Sequence, residues 1–479
     1  MGRGIAQVAL AAGHRVSLVD PQEAQLRAAA EEITQRLTRR HPAVAARLDQ
    51  LLGTHTSVDE APASSRTVVV EAVLESLQVK TTVLSAAYEH FGADCILATN
   101  TSSLSVTEIA AGTPAPHRVV GMHFFNPVPV MRLVEIVTGI QTDPRVADEV
   151  AELAVSWGKQ VARVRSAPGF IVNRVARGFY GEALRLVEEQ VASPATIDEV
   201  LRGAGQFRMG PFELMDLIGN DVNAAVTRSV WTAFNFDPRF EPSRIQDELV
   251  AAGRYGRKSG HGFYPYADGA DPERPAPVTP ADLPSGIKSD GSSAQLEALL
   301  ARTGVRLDRD GDLDVPALLD DGTVLRVTRG CTALSESQEL GGRPVVVIDR
   351  TVSPEDTSAI AAAASHPARL GSVAALFAKG GIDVHEVADA PGLVVARTLA
   401  VIINEAWETA LHGVATPPDI DVAMQLGTNY PSGPFEWTRR WGAPAVVELI
   451  DALWSTYHDT RYRGSRDLRL RGTTATAGL

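Results

Sequence analysis

The stretch Arg15-Val16-Ser17-Leu18-Val19-Asp20 decides the fold. Its short β-branched and apolar run predicts a strand, and residues 22–40, rich in Ala, Glu, Gln, Leu and Arg, predict the helix that follows. Similar strand runs alternate with helical stretches further along the chain and lie at residues 67–71, 95–99, 119–123, 133–137 and 161–164. This alternation indicates βαβ units and a mostly parallel sheet.

The acidic residue that closes this first strand run indicates a nucleotide site. In a doubly wound fold, an acidic residue at the end of the second strand binds the ribose 2′-hydroxyl of a dinucleotide and disfavours a 2′-phosphate. Asp20 therefore favours NAD over NADP. The alternative is that Asp20 caps the helix that begins after Pro21.

The glycine fingerprint of such a fold is incomplete. The motif G-x-G-x-x-G joins the first strand to the first helix. The chain opens with Met1-Gly2-Arg3-Gly4, inside a predicted helix, and Gly2 matches only the last glycine of the motif. The absent first strand is central to the sheet, and its loss would expose unpaired backbone groups. We expect a start that lies too late in the reading frame, with a defective remnant as the alternative.

Composition narrows the class of protein. The chain has 479 residues with 45 Lys and Arg against 58 Asp and Glu, a net charge of −13. Because an acidic chain repels phosphate backbones, we expect no nucleic acid partner. Only Cys95 and Cys331 are present, which predicts neither a disulfide framework nor a metal cluster. We expect a cytoplasmic protein without a signal segment, a membrane span or a bound metal.

An internal repeat occupies the second half of the chain. Ala167-Pro168-Gly169 recurs at residues 390–392, and Gly210-Pro211-Phe212-Glu213 recurs at residues 433–436. Both pairs lie 223 positions apart, as do Arg174 and Arg397. A gapless match over this span predicts a duplicated helical domain.

The predicted fold class is α/β, and the predicted organisation has five segments. A Rossmann-type NAD-binding domain with a truncated first strand precedes an all-α domain, and after a linker a degenerate Rossmann-like segment precedes a second copy of the all-α domain. The boundaries follow from composition and from the repeat. They are residues 1–166, 167–264, 265–286 (the linker, crowded with Pro and Gly), 287–388 and 389–479.

Three motifs carry candidate chemistry. The polar run Asn100-Thr101-Ser102-Ser103 follows a predicted strand, at the edge of the sheet where ligands bind in open α/β folds. His123 ends the next predicted strand, and Glu135 lies inside an apolar strand, where a carboxylate is costly unless it is paired. A His–Glu pair would form a general base with a fixed tautomer. The alternative is a structural histidine and a Glu bonded to backbone.

Taken together, these motifs resemble the (S)-3-hydroxyacyl-CoA dehydrogenases. The resemblance rests on residues 100–103, the run 123–130 with Glu135, Pro168-Gly169-Phe170-Ile171-Val172-Asn173-Arg174, and residues 210–214. It covers nearly the whole chain. The length and the duplicated helical domain are similar to the long bacterial form of the family.

The resemblance implies a role for each site residue. His123 would be the general base, Glu135 its orienting partner, and Ser102 and Asn173 the donors to the reacting oxygen atoms of the substrate. Asn126 would lie beside them, next to the nicotinamide. The residues implied to bind the cofactor are Gly2, Asp20, Glu75, Lys80, Ser102, Asn126 and Lys258. For Lys258 the alternative is a solvated loop charge.

The resemblance also implies the reaction and its partners. NAD would oxidise an (S)-3-hydroxyacyl-CoA thioester to the 3-oxoacyl-CoA, and overall similarity favours 3-hydroxyadipyl-CoA, a phenylacetate-degradation substrate, over 3-hydroxybutyryl-CoA. The arginines of residues 27–40 are candidates for the coenzyme A phosphates, with a solvated helix face as the alternative. In the second helical copy Ala396 stands where the first has Asn173, so we expect that copy to be structural. It would act as an internal partner, and a homo-oligomer stays open.

One alternative belongs to another class of protein. The truncated start would suit a non-catalytic binding or scaffold protein built on a dehydrogenase fold. The presence of Ser102, His123, Glu135 and Asn173 together argues against it. A bifunctional β-oxidation protein has no support, because the assigned segments leave no room for a hydratase domain.

Overall fold

A computed structural model describes residues 1–64, 66–266 and 274–476. Part of the predicted linker, residues 267–273, lies outside the described residues. The helices are α1 (Gly2–Ala11), α2 (Glu23–Arg40), α3 (Pro42–Ala45), α4 (Leu48–Leu51), α5 (Leu77–Phe91), α6 (Val106–Ala111), α7 (Pro144–Ser156), α8 (Val172–Val175), α9 (Arg177–Glu188), α10 (Pro194–Gly203), α11 (Pro211–Ile218), α12 (Asn220–Ala233), α13 (Arg244–Ala251), α14 (Ala294–Thr303), α15 (Ala333–Glu339), α16 (Leu370–Lys379), α17 (Val395–Leu411), α18 (Pro417–Thr428), α19 (Pro434–Trp441), α20 (Ala443–Tyr457) and α21 (Arg466–Thr476).

Six of the strands agree closely with the runs that the sequence predicts, and the others were not among those runs. The strands are β1 (Val16–Val19), β2 (Leu52–His55), β3 (Val68–Glu71), β4 (Ile96–Thr99), β5 (Val119–Phe124), β6 (Leu133–Thr138), β7 (Gln160–Arg165), β8 (Ile287–Ser289), β9 (Leu307–Arg309), β10 (Ala317–Leu319), β11 (Val324–Val327), β12 (Val345–Ile348), β13 (Ala359–Ala364) and β14 (Asp383–Glu386).

The chain divides into two compact units. The first contains residues 1–174 and 412–428, and the second contains residues 175–411 and 429–479. In the first unit, β3 to β7 form a sheet in sequence order, and β1 pairs with β2 in a separate parallel pair. All pairings are parallel except that of β5 with β6. The predicted mostly parallel sheet is confirmed.

Strands β1 and β3 are not joined in one sheet. In a Rossmann order the second and fourth strands flank the first, and here β1 and β3 belong to different sheets. Helix α1 contacts both sides: Ile5 and Val8 pack with the core of the larger sheet, whereas Ala6 and Leu10 pack with the core of the β1–β2 pair. The helix that should follow the first strand therefore bridges the interrupted sheet.

The second unit holds both helices and a mixed sheet. Its sheet order among the described residues is β14-β13-β12-β11-β10-β8-β9. From β11 to β14 the pairings are parallel, antiparallel and parallel. The same sequence of directions runs from β4 to β7. This region is therefore a reduced copy of the first sheet, in agreement with the predicted fold class.

Backbone conformation confirms the helical repeat. Residues 223 positions apart share a positive φ, including non-glycine residues that rarely adopt it. The pairs are Gly169 and Gly392, Phe170 and Leu393, Gln190 and Gly413, Gln206 and Asn429, Gly219 and Gly442, and Asn235 and His458. Both copies thus turn at the same places although their side chains differ.

None of the helices in the described part of the chain has the length and apolarity that crossing a bilayer would require.

Candidate active site

A buried histidine and a buried glutamate face each other across two strands. His123 on β5 lies opposite Glu135 on β6 in the antiparallel register. Nδ1 of His123 lies 2.6 Å from Oε2 of Glu135, and the glutamate side chain is fully buried. The pairing that the sequence predicts for this carboxylate is therefore present.

The second oxygen of Glu135 fixes the carboxylate from the other side. Its Oε1 atom accepts hydrogen bonds from the backbone N–H groups of Ile171, at 3.0 Å, and Val172, at 3.1 Å. Three nitrogen donors suit an ionised carboxylate. The proton of a neutral His123 then resides on Nδ1, which leaves the Nε2 lone pair for a substrate proton. The arrangement supports general-base chemistry.

The loop after β4 is organised by one carboxylate. Oε1 of Glu75 accepts hydrogen bonds from the Thr101 hydroxyl, at 2.6 Å, the Ser103 hydroxyl, at 2.8 Å, and the backbone N–H groups of Ser102 and Ser103, both at 3.1 Å. Partial burial acts to raise the pKa of Glu75, but these donors and the charge of Lys80 outweigh it and lower the pKa to about 2. Glu75 therefore holds the loop that presents Ser102.

A buried ion pair lies beneath this loop. Lys80 is 1% exposed, and its Nζ atom lies 2.9 Å and 3.1 Å from the two carboxylate oxygens of Glu71 and 3.1 Å from Glu75. Glu71 also accepts hydrogen bonds from the Thr99 hydroxyl and the Val73 N–H, both at 2.7 Å. The strand ends and the polar loop are thus connected by charged hydrogen bonds.

Two amide side chains lie near this loop and near the end of β5. Nδ2 of Asn173 lies 3.4 Å from the backbone carbonyl of Ser102. Asn126 is exposed in the loop that follows β5. Lys159 holds that loop, because its ammonium donates to the carbonyls of Val128, at 2.5 Å, and Met131, at 2.7 Å. Ser102, His123, Glu135 and Asn173 therefore belong to one unit, as does Asn126.

Two of the residues that the sequence predicts to bind the cofactor lie near the N-terminus of the first unit. Gly2 begins α1, and no side chain caps the N-terminus of that helix. Asp20 follows β1, and its Oδ1 atom accepts the Gln22 N–H at 2.9 Å. Oδ2 of Asp20 has no hydrogen-bond partner within the described ranges. Uncapped helix N–H groups suit a pyrophosphate, and a carboxylate oxygen suits a ribose hydroxyl, so these residues fit a dinucleotide.

Lys258 lies in the second unit. Its Nζ atom lies 2.6 Å from Oδ1 of Asp221 and 5.5 Å from the ring of Tyr255. The loop that contains Lys258 continues to Phe263 and Tyr264, and the carboxylate of Asp216 accepts hydrogen bonds from the backbone N–H groups of these two residues, both at 3.0 Å. The contact of Lys258 with a cofactor stays a prediction.

The second copy has no equivalent of the His–Glu pair among its described residues. Asp349 follows β12, as His123 lies at the end of β5, and it is fully buried. Its carboxylate accepts the backbone N–H groups of Val394, Val395 and Ala396 at 2.7–2.9 Å. Val394 and Val395 correspond to Ile171 and Val172, so Asp349 takes over the backbone contacts of Glu135 without a base beside it.

Sequence reasoning did not assign several residues that shape the site. Thr101 and Ser103 bind Glu75, and the polar run that contains them was a usable signal. Asn100 in the same run accepts the Phe124 N–H at 2.9 Å and so connects β4 to β5. The role of Lys159 in holding the loop after β5 could not be predicted, because a single lysine before a strand is common in any sequence.

In the described parts of the chain, no group of three or more His, Cys, Asp or Glu side chains is placed to hold a metal ion.

Three family models match the chain. The NAD-binding domain of 3-hydroxyacyl-CoA dehydrogenase matches residues 1–167. The C-terminal domain of 3-hydroxyacyl-CoA dehydrogenase matches twice, at residues 169–266 and 392–471. The reduced Rossmann-fold domain of 3-hydroxybutyryl-CoA dehydrogenase matches residues 325–391.

Individual relatives support the same assignment. The chain is 42% identical over 476 residues to the 3-hydroxyadipyl-CoA dehydrogenase of Escherichia coli strain K12, which covers 98% of this chain and 95% of that relative. A probable 3-hydroxybutyryl-CoA dehydrogenase of Bacillus subtilis is 36% identical over 56% of this chain and 94% of its own length. The crystal structure of a 3-hydroxybutyryl-CoA dehydrogenase from Escherichia coli K12 superposes with a TM-score of 0.90 at 38% identity, covering 100% of this chain and 97% of that one.

Proposed function

The chain belongs to the 3-hydroxyacyl-CoA dehydrogenase family, and we propose that within this family it oxidises (S)-3-hydroxyadipyl-CoA. It is an NAD-dependent oxidoreductase that acts on 3-hydroxyacyl-CoA thioesters. The observation that supports the adipyl chain is the 42% identity to a relative of that name over 98% of the chain. A location in the cytoplasm is part of the same proposal, supported by the free thiols of Cys95 and Cys331.

His123 acts as the general base in the proposed mechanism. Its Nε2 atom accepts the proton of the substrate 3-hydroxyl, and the Glu135 carboxylate at Nδ1 stabilises the imidazolium that forms. When bound, NAD would supply the acceptor for the hydride from C3 of the substrate. Ser102 and Asn173 donate hydrogen bonds to the reacting oxygen atoms and orient the thioester.

The proposal also assigns the residues that would bind the cofactor, from their positions in the fold and from the family resemblance. Gly2 and the start of α1 would hold the pyrophosphate, and Asp20 the adenine ribose. Glu75 and Lys80 order the loop that carries Ser102 at the cofactor edge of the sheet. Asn126 and Lys258 complete the proposed set.

The substrate assignment is tested by comparing two thioesters. NADH formation is followed by absorbance with (S)-3-hydroxyadipyl-CoA and with (S)-3-hydroxybutyryl-CoA over a range of concentrations. We expect a kcat/KM at least tenfold higher for the adipyl thioester. A higher value for the butyryl thioester would support the second candidate, which the name of the superposed crystal structure favours.

The second helical copy is proposed to serve as an internal partner. Helices α9 and α17 pack together so closely that a Cβ on Gly178 would lie 3.1 Å from Cγ1 of Ile402 and 3.4 Å from Cγ1 of Val401. Arg397 of α17 donates to Glu182 of α9 at 2.8 Å, and both side chains are fully buried. In this proposal, the buried contact between α9 and α17 takes the place of an interface between two subunits.

A disulfide test addresses this arrangement in the full chain. The double variant Gly178→Cys/Val401→Cys is oxidised, and its mass is measured under denaturing, non-reducing conditions. We expect a product of monomer size that has lost the two introduced free thiols, because a bond within one chain consumes both of them. A product of twice the monomer mass would show that the two copies pair between chains.

A further inference from the structure

A segment of the second helical copy covers the edge of the first sheet. Residues 412–428 belong to the same compact unit as that sheet. The edge strand β7 directs backbone N–H groups outward at Arg163, which donates to Oδ1 of Asp419 at 3.2 Å, and at Arg165, which donates to the carbonyl of Val414 at 2.7 Å. These contacts satisfy an exposed strand edge and fix α18 against the sheet.

Helix α18 approaches the sheet closely at a glycine. A Cβ on Gly427 would lie 2.9 Å from Cδ2 of Leu133 and 2.9 Å from Cγ2 of Val172. Real Cβ atoms do not come this close, so even a methyl group at residue 427 requires a neighbour to move. Leu133 and Val172 are both buried.

The two residues that Gly427 touches flank the carboxylate of the catalytic pair. Leu133 lies two positions before Glu135 on β6, so their side chains project from the same face of the strand. The backbone N–H of Val172 is one of the donors to Oε1 of Glu135, at 3.1 Å. A displacement of Val172 would therefore change the hydrogen bond that orients Glu135 and, through it, His123.

We propose that α18 of the second helical copy is a positioning element for the catalytic pair, and that Gly427 is its positioning residue. The inference rests on the proposed function of His123 and Glu135. Val172 has a β-branched side chain with a restricted χ1 angle. Because this side chain cannot rotate away from a Cβ at residue 427, the backbone of Val172 has to move instead. The copy that lacks catalytic residues thus keeps a role in the reaction of the other copy.

The test combines a bulk-adding variant with a space-making one. The kcat and KM of Gly427→Ala are compared with those of Val172→Ala and of the double variant. The assay contains NAD and whichever of the adipyl and butyryl thioesters has the higher kcat/KM with the wild type. We expect Gly427→Ala to lower kcat by about fivefold to tenfold with KM changed less than twofold. The double variant should regain the kcat of Val172→Ala, because it removes the contact with Cγ2 of Val172, while Cδ2 of Leu133 lies at the end of a flexible side chain that can rotate away.

A matched control separates positioning from general damage. Gly286→Ala adds a methyl group where no atom lies within 4 Å, and it should leave kcat unchanged. Wild-type kcat in Gly427→Ala would overturn the proposal, as would a double variant no better than Gly427→Ala. An inactive wild-type chain would instead reject the proposed function.

A second variant covers the case in which Gly427→Ala does not fold. Asp419→Ala removes the side chain that accepts the Arg163 N–H and should loosen α18 without adding bulk. The readout is the downfield proton resonance of the His123 Nδ1–H group in the selectively labelled protein. Broadening or a shift of this resonance is expected, and an unchanged resonance with unchanged kcat would overturn the proposal.

Discussion

Nδ1 of His123 lies 2.6 Å from Oε2 of Glu135, and the two residues are register partners on antiparallel strands. Because each strand also pairs with a parallel neighbour on its other side, the sheet fixes the separation of the two side chains. The pair is thus oriented before any substrate arrives, which is the condition for efficient proton transfer.

Replacement of His123 should remove catalysis and spare cofactor binding. His123→Gln keeps the size of the side chain but offers no basic nitrogen, so kcat should fall by about 10²–10⁴-fold. NAD affinity, measured by calorimetry, should stay within twofold. His117→Gln, at an exposed histidine, is the control. Near-normal turnover in His123→Gln would remove this residue from the mechanism.

Replacement of Glu135 should act through the tautomer of His123. In Glu135→Gln the side-chain oxygen can still accept the N–H groups of Ile171 and Val172, which leaves the amide NH₂ facing Nδ1. That NH₂ donates, so it favours the tautomer with the proton on Nε2, which cannot accept the substrate proton. We expect kcat to fall by about 10²-fold or more while the melting temperature changes little.

The control for this variant is Glu152→Gln on the exposed face of α7. Equal kcat in Glu135→Gln and in the wild type would show that Glu135 is only structural.

The sequence predicts the local elements of this fold well, because the information is local. β-branched runs define β1, β3 and β4 to within a residue or two, and the constant offset of 223 positions is enough by itself to define the repeat. The incomplete glycine motif at the start of the given sequence agrees with the separation of β1 from β3. The bare spacing of His123 and Glu135 left a structural alternative open, and the motif resemblance favoured the catalytic one.

Contacts between distant segments could not be predicted. The donors to Glu135 come from residues 36 and 37 positions later, and the pairing direction of β5 and β6 has no local signature. Gly427 touches Val172 across more than half of the chain, and a glycine inside a predicted helix gives no indication of its neighbour. Such contacts arise where a helix of one copy packs on the sheet of the other copy, and no local propensity predicts that packing.

The stability provided by Glu75 should depend on pH. Its pKa is lowered from 4.5 to about 2 in the folded chain, so the unfolded chain binds the proton first as the pH falls. The contribution is complete above about pH 4.5 and is lost progressively toward pH 2. In urea unfolding, the difference in midpoint between the wild type and Glu75→Gln should shrink between pH 6 and pH 3.5.

Exposed acidic residues without such donors give the control for this series. Glu152→Gln should show a small difference in midpoint that does not vary over the same pH range. A constant difference for Glu75→Gln would contradict the assignment of a lowered pKa to this carboxyl.

Completion of the interrupted sheet should increase both stability and NAD affinity. A designed extension placed before Met1, with a five-residue β-branched strand and a turn that supplies two glycines, would offer backbone groups to the free edges of β1 and β3. It would also place glycine N–H groups next to the start of α1, where we propose that the pyrophosphate binds. We expect a rise in melting temperature and at least tenfold tighter NAD binding. An extension of equal length rich in Gly and Ser is the control, and equal effects of both extensions would contradict the strand explanation.

Arg397 should be among the most sensitive positions of the second helical copy. Its guanidinium is fully buried and binds Glu182, Glu189 and the hydroxyl of Tyr462 at 2.7–2.9 Å. Arg397→Met fills a similar volume but leaves the partner carboxylates without this cation, and removing one member of a buried ion pair costs about 3–5 kcal/mol. Urea unfolding should therefore show a large loss of stability, whereas Arg440→Met, at a largely exposed i,i+4 pair, should cost less than about 0.5 kcal/mol. Because Arg397 joins α17 to α9, an unchanged midpoint for Arg397→Met would mean that this ion pair does not hold the two copies together.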